Sequence, residues 1–428
     1  MSKTINHARI VAAGMKRTAI VPSWKSLANT PAHALMYFSA RETIKSAGGP
    51  ELRYSIEESI AGTCFHDPLN MNVARVVSLL LGVPGKEALA FLRDRVPLTE
   101  ELMGKSATLS LSAYTMSMNC GSGSLPVIAG ARAIKSGDRN LLLLLAGESM
   151  TNIPYQLSRN IRGQSLGDQT LVDGMKHGLT DPFTGNIMGY TADRVAIEYG
   201  ITRARQDAYI ERSHQRANVA VQSGKLDAQI APVTVWDRNG TSTVTQDEGF
   251  NPKLTAQSIA GLKPYFMKEE DGGTVSPAGA SLISDGAASM FLGTPGRMEE
   301  LGVVPEAELL GYALAGCNPA LMGMGPIDAV PEALAMAGLT MEDIDVFLVN
   351  EAFAATTLAV QKLLGIPDEK LNPYGGALAL GGHAVGATGL VLPVMGVNIL
   401  KDWGKKYLVV TGCVGGGQGY ATVWKLFQ

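Results

Sequence analysis

Along the chain, short unbroken apolar runs alternate with segments in which apolar residues recur every three or four positions, the pattern of buried strands set between helices. "YSIEESIAGTCF" reads as a strand entering a turn, and "LNMNVARVVSLLLG" as a helix closed by Gly82. "LSAYTMSMN" reads as a buried strand, "GSGSLPVIAGARAIKSG" as a helix closed by Gly137, and "NLLLLLAGES" as a second buried strand. The later part repeats the order. "DIDVFLVN" predicts a strand, "EAFAATTLAVQKLLG" a helix closed by Gly365, "AVGATGLVLPVMGVNILKDWG" a helix, and "KYLVVTGC" a strand followed by a returning strand, "YATVWKL". Cys120 and His383 each stand just before the second helix of their repeat. The pattern predicts a duplicated α/β unit whose copies face each other.

Between the repeats lies a more polar stretch, about 151–283, with one evident helix, "TRARQDAYIERSHQRANVAVQSG". It reads as a loop-rich cap over a ligand. A shorter segment, about 84–110, interrupts the first half. The resulting division is 1–150 for the first half with that insertion, 151–283 for the covering loops, 284–305 as a return to the first half, and 306–428 for the second half.

Composition narrows the function. Of 428 residues, 46% are hydrophobic and only 18% charged, which calls for a large buried interior or extensive subunit contacts. The net charge of −3 comes without a basic run, so neither nucleic acid nor an anionic membrane surface is an expected partner. "NLLLLLAG" is too short to span a bilayer, and "MSKTINHARIVAAG" carries no signal-peptide core, so a cytoplasmic location is expected. The cysteines, Cys64, Cys120, Cys317 and Cys413, form no C-x-x-C pair, and no metal site is expected.

Three motif matches fail on context. "GQSLG" (163–167) lacks the apolar strand a serine elbow needs. "GKS" (104–106) has Thr99 where a phosphate loop needs its first glycine, and "GSGSLP" (121–126) ends its dinucleotide fingerprint in proline. Cys120 stands at a helix mouth, where the macrodipole and free N–H groups favour thiolate. Spacing alone leaves it either a nucleophile or a small buried hydrophobe. Cys413 precedes the glycine-dense "VGGGQG", which lets backbone N–H groups reach a ligand. "NEAFA" places Asn350 and Glu351 at the end of a buried strand. "GGALALGGHAVGATG" sets His383 among six glycines.

In this order, these blocks resemble the thiolase family. The matching stretches are "ANTPAHAL", "NCGSG", "GLTDPFTGNIMGYTAD", "GTVSPAGAS" with "SDGAA", "MGMGP", "NEAFA", "GGHAVGATG" and "CVGGGQG". The resemblance implies two five-stranded α/β halves in a five-layered α/β/α/β/α arrangement, with loops covering coenzyme A. It implies reversible acyl transfer between a 3-ketoacyl-CoA and CoA, with acyl-CoA as substrate, no permanently bound cofactor, and assembly as a homodimer or homotetramer. By the same resemblance Cys120 carries the acyl group, His383 takes its proton, and Cys413 is the second acid/base. Asn350 holds the water of one oxyanion hole beside His383, and the N–H groups of Cys120 and Gly415 form another. Ser281, Leu179, Ala352 and Met188 become coenzyme A contacts.

Two departures carry expectations. "GGHAVG" has an added glycine and Ala384 where the family has proline, which predicts a displaced or more mobile His383 loop. Ile187 stands where many thiolases have histidine, which predicts a preference for medium or branched acyl chains. The 84–110 insertion is expected to reshape the acyl tunnel or the subunit interface. A synthesis-committed condensing enzyme and a catalytically silent CoA-binding scaffold are the alternative readings; the second cysteine opposes the former, and the complete set of four reactive side chains the latter.

Overall fold

In the computed structural model, residues 9–65, 71–157, 168–238 and 240–427 are described. The "GQSLG" match lies outside them. One long mixed sheet runs through the molecule. From edge to edge its strands begin at Val346, Tyr407, Gln418, Ala307, Val11, Ser284, Leu141, Glu58 and Ser112. The first half supplies five of these strands. The second supplies four, and a single bridge between Phe347 and Leu371 marks the place of a fifth. The halves meet where Val11 and Ala12 pair with Glu308 and Ala307. The strand Ser284–Gly293 pairs with both Val11–Arg17 and Leu141–Ser149.

The strand Leu141–Ser149 is buried along its whole length, as its unbroken run of leucines requires. "LSAYTMSMN" differs from expectation. Its strand, Ser112–Met116, is the sheet's edge and is half exposed, because only Glu58–Gly62 pairs with it. Helices Ala32–Ala47 and Val73–Gly82 cover the first half, and Gly325–Ala337 with Ala354–Leu364 the second. Between the halves runs Thr388–Trp403, which touches Tyr407–Val414 on one side and Ser284–Gly293 and Leu141–Ser149 on the other. Packed on both flanks, it is apolar nearly all round, as a middle-layer helix must be.

Gly137, Gly365 and Gly404 take positive φ at or just beyond helix C-termini. Gly82 does not close its helix in that way. It is the last helical residue, and a Cβ there would lie 2.1 Å from the Ser106 hydroxyl. The insertion folds as two short helices, Gly85–Asp94 and Glu100–Gly104. The covering segment holds a second long helix besides Arg203–Gln222: Met188–Tyr199, ended by Gly200 in the left-handed region. No helix among the described residues is long and apolar enough to cross a membrane.

The covering segment is fastened to the first strand by a buried ion pair. Arg17 and Asp247 are both fully buried and meet through two bonds of 2.6 and 2.7 Å. Gln229 accepts from Arg17 Nε at 2.9 Å, and the Ile20 N–H donates to Asp247 at 2.8 Å. Removing one partner leaves an uncompensated buried charge. Asp247→Ala is therefore expected to destabilise the fold by about 3–5 kcal/mol in chemical denaturation, and a loss near zero would show that the pair is not so buried in solution.

Candidate active site

Cys120 follows the edge strand in a tight series of turns. Asn119 takes φ +44°, a left-handed conformation asparagine tolerates. Its side chain donates to the Gly415 carbonyl at 3.0 Å, tying the Cys120 turn to the glycine loop after Cys413. The Ser122 hydroxyl bonds the Asn119 carbonyl at 2.7 Å, and that of Ser124 the Gly121 carbonyl at 2.7 Å. Gly121 has no room for a side chain, since a Cβ would fall 2.2 Å from the Met118 methyl.

His383 is held with equal care. Gly381 and Gly382 have φ of +78° and +109°. A Cβ on Gly381 would sit 1.9 Å from the Ile20 carbonyl oxygen, and one on Gly382 2.0 Å from the Ser284 hydroxyl. The added glycine thus fits a crowded backbone. The loop is closely packed: His383 is buried and its N–H donates to the Leu282 carbonyl at 3.0 Å. The Thr388 hydroxyl donates to the Ala384 carbonyl at 3.0 Å and lies 2.7 Å from His383 Nδ1. With its proton on the Ala384 carbonyl the hydroxyl accepts from Nδ1–H, an arrangement that leaves the lone pair on Nε2, which faces Asn350 Nδ2 at 3.3 Å.

Asn350 ends the strand Val346–Val349, and its own N–H donates to the Thr411 carbonyl at 2.9 Å. The neighbouring Glu351 is buried. It accepts from Tyr209 at 2.6 Å, Ser213 at 2.9 Å, Asn372 at 3.1 Å and the Leu378 N–H at 3.0 Å. This network holds the loop that leads to His383 against the covering helix Arg203–Gln222.

A cavity of about 290 Å³ gathers most of the residues singled out from the sequence. Cys120, His383 and Cys413 line it together with Leu179, Met188, Ser281 and Ala352. Asn350 and Gly415 stand beside it: Asn350 against the His383 ring, and Gly415 with its N–H toward the Cys120 sulfur. The Ser281 N–H donates to the Ala352 carbonyl at 3.0 Å, and that of Met188 to the Leu179 carbonyl at 2.9 Å. The rest of the wall is largely apolar, including Ile187, Phe266, Met322 and Phe353; no residue of the 84–110 insertion reaches it. A larger surface cavity, about 490 Å³, opens beyond Ile187 around Lys176, His177 and Tyr190, without the cysteines.

Burial governs the charges. It raises the Cys120 thiol above its ordinary range, opposed by the Gly415 N–H and its own, and aided by the Glu148 carboxylate. Burial thus opposes the expected helix-mouth thiolate, and the helix itself begins only at Leu125. Cys413 is pushed up by burial and by the nearby Cys120 sulfur. Burial lowers His383 to about 4, so the ring is neutral at physiological pH. The site holds neutral thiols beside a neutral imidazole.

A duplicated α/β fold brings a cysteine and a histidine from matching places, together with a second cysteine, into one cavity. Residues 93–295 match the thiolase N-terminal domain and residues 303–426 the thiolase C-terminal domain. The chain belongs to the thiolase family, and it is an acetyl-CoA acyltransferase-type enzyme. It is 35% identical to a probable acetyl-CoA acyltransferase of Staphylococcus epidermidis, over 98% of this chain and 99% of that protein. It is 39% identical to the beta-ketothiolase BktB of Cupriavidus necator, over 74% and 80%. The Bacillus anthracis acetyl-CoA acetyltransferase superposes with a TM-score of 0.89 at 31% identity, covering 99% of this chain and 100% of that one. Human mitochondrial 3-ketoacyl-CoA thiolase in complex with CoA superposes at 0.86 and 30%, covering 98% of each.

Sequence reasoning missed Thr388, whose hydroxyl bonds His383 Nδ1, and gave Asn119 no role. The signal for the first was a hydroxyl five residues after the histidine, at the start of a helix. Thr388→Val removes the acceptor for Nδ1–H, and kcat is expected to fall roughly 10–100-fold, the scale lost with such orienting partners. Steady-state kinetics would check it, and an unchanged kcat would show that the ring is oriented by other contacts.

Proposed function

We propose that the enzyme performs reversible thiolytic cleavage of 3-ketoacyl-CoA through an acyl-cysteine intermediate. The observation that carries this reading is the single cavity shared by Cys120, His383 and Cys413. In the cleavage direction His383 Nε2 takes the Cys120 proton as the sulfur attacks the 3-keto carbon. The C2–C3 bond breaks, and the acetyl-CoA carbanion takes its proton from Cys413. A CoA thiol, deprotonated by Cys413, then attacks the thioester, and Cys120 leaves as thiolate and recovers the proton from His383. Condensation is the same path reversed. The Cys120 and Gly415 N–H groups stabilise the oxyanion on the Cys120 acyl group, and His383 with an Asn350-held water the other. Ser281, Leu179, Ala352 and Met188 line the approach of the pantetheine arm.

The apolar wall around Ile187, Met322 and Phe353 supports medium or branched acyl chains, as in fatty-acid β-oxidation. The half-exposed edge strand Ser112–Met116 supports a homodimer or homotetramer, since an open edge is covered well by a second copy. Four free thiols accord with a reducing, cytoplasmic setting.

Brief incubation with a 3-ketoacyl-CoA should place the acyl group on the Cys120 peptide in mass spectrometry; finding it on Cys413 alone reverses the roles. Cys413→Ala should still acylate but slow α-proton exchange of acetyl-CoA in D₂O by about 10²–10⁴. Exchange unaffected by that change assigns the base elsewhere. An apolar contact at Ile187 worth roughly 1.5–3 kcal/mol predicts kcat/KM at least tenfold higher for medium-chain substrates than for acetoacetyl-CoA. Equal values on the two would remove the chain-length reading.

A further inference from the structure

One buried carboxylate beside the site has no part in the steps above. Glu148 lies near the end of the strand Leu141–Ser149 and is almost wholly buried. Its Oε2 accepts the N–H groups of Cys64 at 2.8 Å and Phe65 at 3.3 Å, and its Oε1 the Thr63 hydroxyl at 3.1 Å. The Gly386 N–H, three residues past His383 in the same loop, donates to it from the other side. Gly386 is pressed so close that a Cβ would lie 2.3 Å from Oε2 and 2.7 Å from the Cys64 nitrogen. One carboxylate therefore joins the Thr63–Phe65 turn of the first half to the His383 loop of the second. The titratable groups that feel its charge are the thiols of Cys64 and Cys120.

We propose that Glu148 is a positioning residue for the Cys120–His383 pair: its carboxylate fastens the His383 loop to the nucleophile's half through Gly386, and its negative charge opposes a thiolate at Cys120. The two effects act together. The clamp keeps His383 in the cavity it shares with Cys120. Burial is the main cause that keeps Cys120 a thiol, and the Glu148 carboxylate, once ionised, adds to it. Burial holds the Glu148 acid itself up to about 8, so the charge grows as pH rises through that value. The inference rests on Cys120 being the nucleophile.

The two effects separate by substitution. Glutamine keeps an oxygen for the three converging N–H groups and removes the charge; alanine removes both. Glu148→Ala should lower kcat by about 10²-fold with KM for CoA little changed, the cost of misplacing a reacting group by about 1 Å. Glu148→Gln should recover kcat to within about tenfold of wild type. Its rate of iodoacetamide alkylation at the Cys120 peptide should reach half-maximum at a pH lower by on the order of one unit. A purely structural clamp would leave that profile where it is. An unshifted profile in Glu148→Gln, or a wild-type kcat in Glu148→Ala, overturns the proposal. If Glu148→Ala does not fold, the alkylation profile of Glu148→Gln decides alone. Acyl labelling of wild-type Cys120 is run alongside: its failure would refute the nucleophile assignment, whereas labelling with an unshifted profile refutes only the role of Glu148.

Discussion

The site depends on two glycines that touch. Gly123 lies just before the helix Leu125–Lys135, and Gly389 in the first turn of Thr388–Trp403. A Cβ on Gly123 would stand 2.8 Å from the Ala387 carbonyl oxygen and 2.9 Å from the Gly389 nitrogen; one on Gly389 would stand 2.4 Å from the Ser124 nitrogen. Only bare backbone lets the two helix starts meet at this distance. Cys120 and His383 each stand five residues before the first residue of their helix, so the contact that joins the halves also brings the two side chains into one cavity. Any larger residue at either glycine would push the halves apart, because packed interiors transmit a local overlap rather than absorb it.

The glycines around His383 obey the same constraint one layer out. Gly381 presses on Ile20, Gly382 on Ser284 and Gly386 on Glu148. Each contact belongs to the first half, while the ring belongs to the second. A titratable ring sits in stripped backbone because the loop that carries it is wedged between elements of the opposite half. The ring is then fixed by few groups, Thr388 on one nitrogen and Asn350 near the other. Rigidity comes from the backbone's fit and direction from two side chains.

Much of this was legible in the sequence, for physical reasons that differ by element. The Leu141–Ser149 strand and the Thr388–Trp403 helix announce themselves because burial on every side demands apolar residues throughout. The helix Met188–Tyr199 was not seen, because its one buried face alternates with polar residues inside a segment dominated by loops. The edge strand Ser112–Met116 was read as buried from residues whose exposure is decided by which strand pairs with them, a tertiary fact. The residues that share the cavity were named through motif order, whereas the contacts of Thr388, Asn119 and Glu148 rest on distances no spacing rule encodes. The glycines before His383 permit a close approach, a use that residue identity alone does not separate from flexibility.

Burial gives the chemistry its character. A cavity walled by Ile187, Met188, Met322, Phe266 and Phe353 stabilises no ion, so Cys120 and Cys413 rest as thiols and His383 as a neutral imidazole. A preformed thiolate–imidazolium pair would cost desolvation of both ions. A neutral pair defers charge separation until a substrate oxygen shares it, and the N–H groups of Cys120 and Gly415 are already aimed toward the reacting sulfur. Stabilisation that appears only as charge develops favours the transition state over the resting enzyme, which is the condition for raising kcat rather than tightening binding.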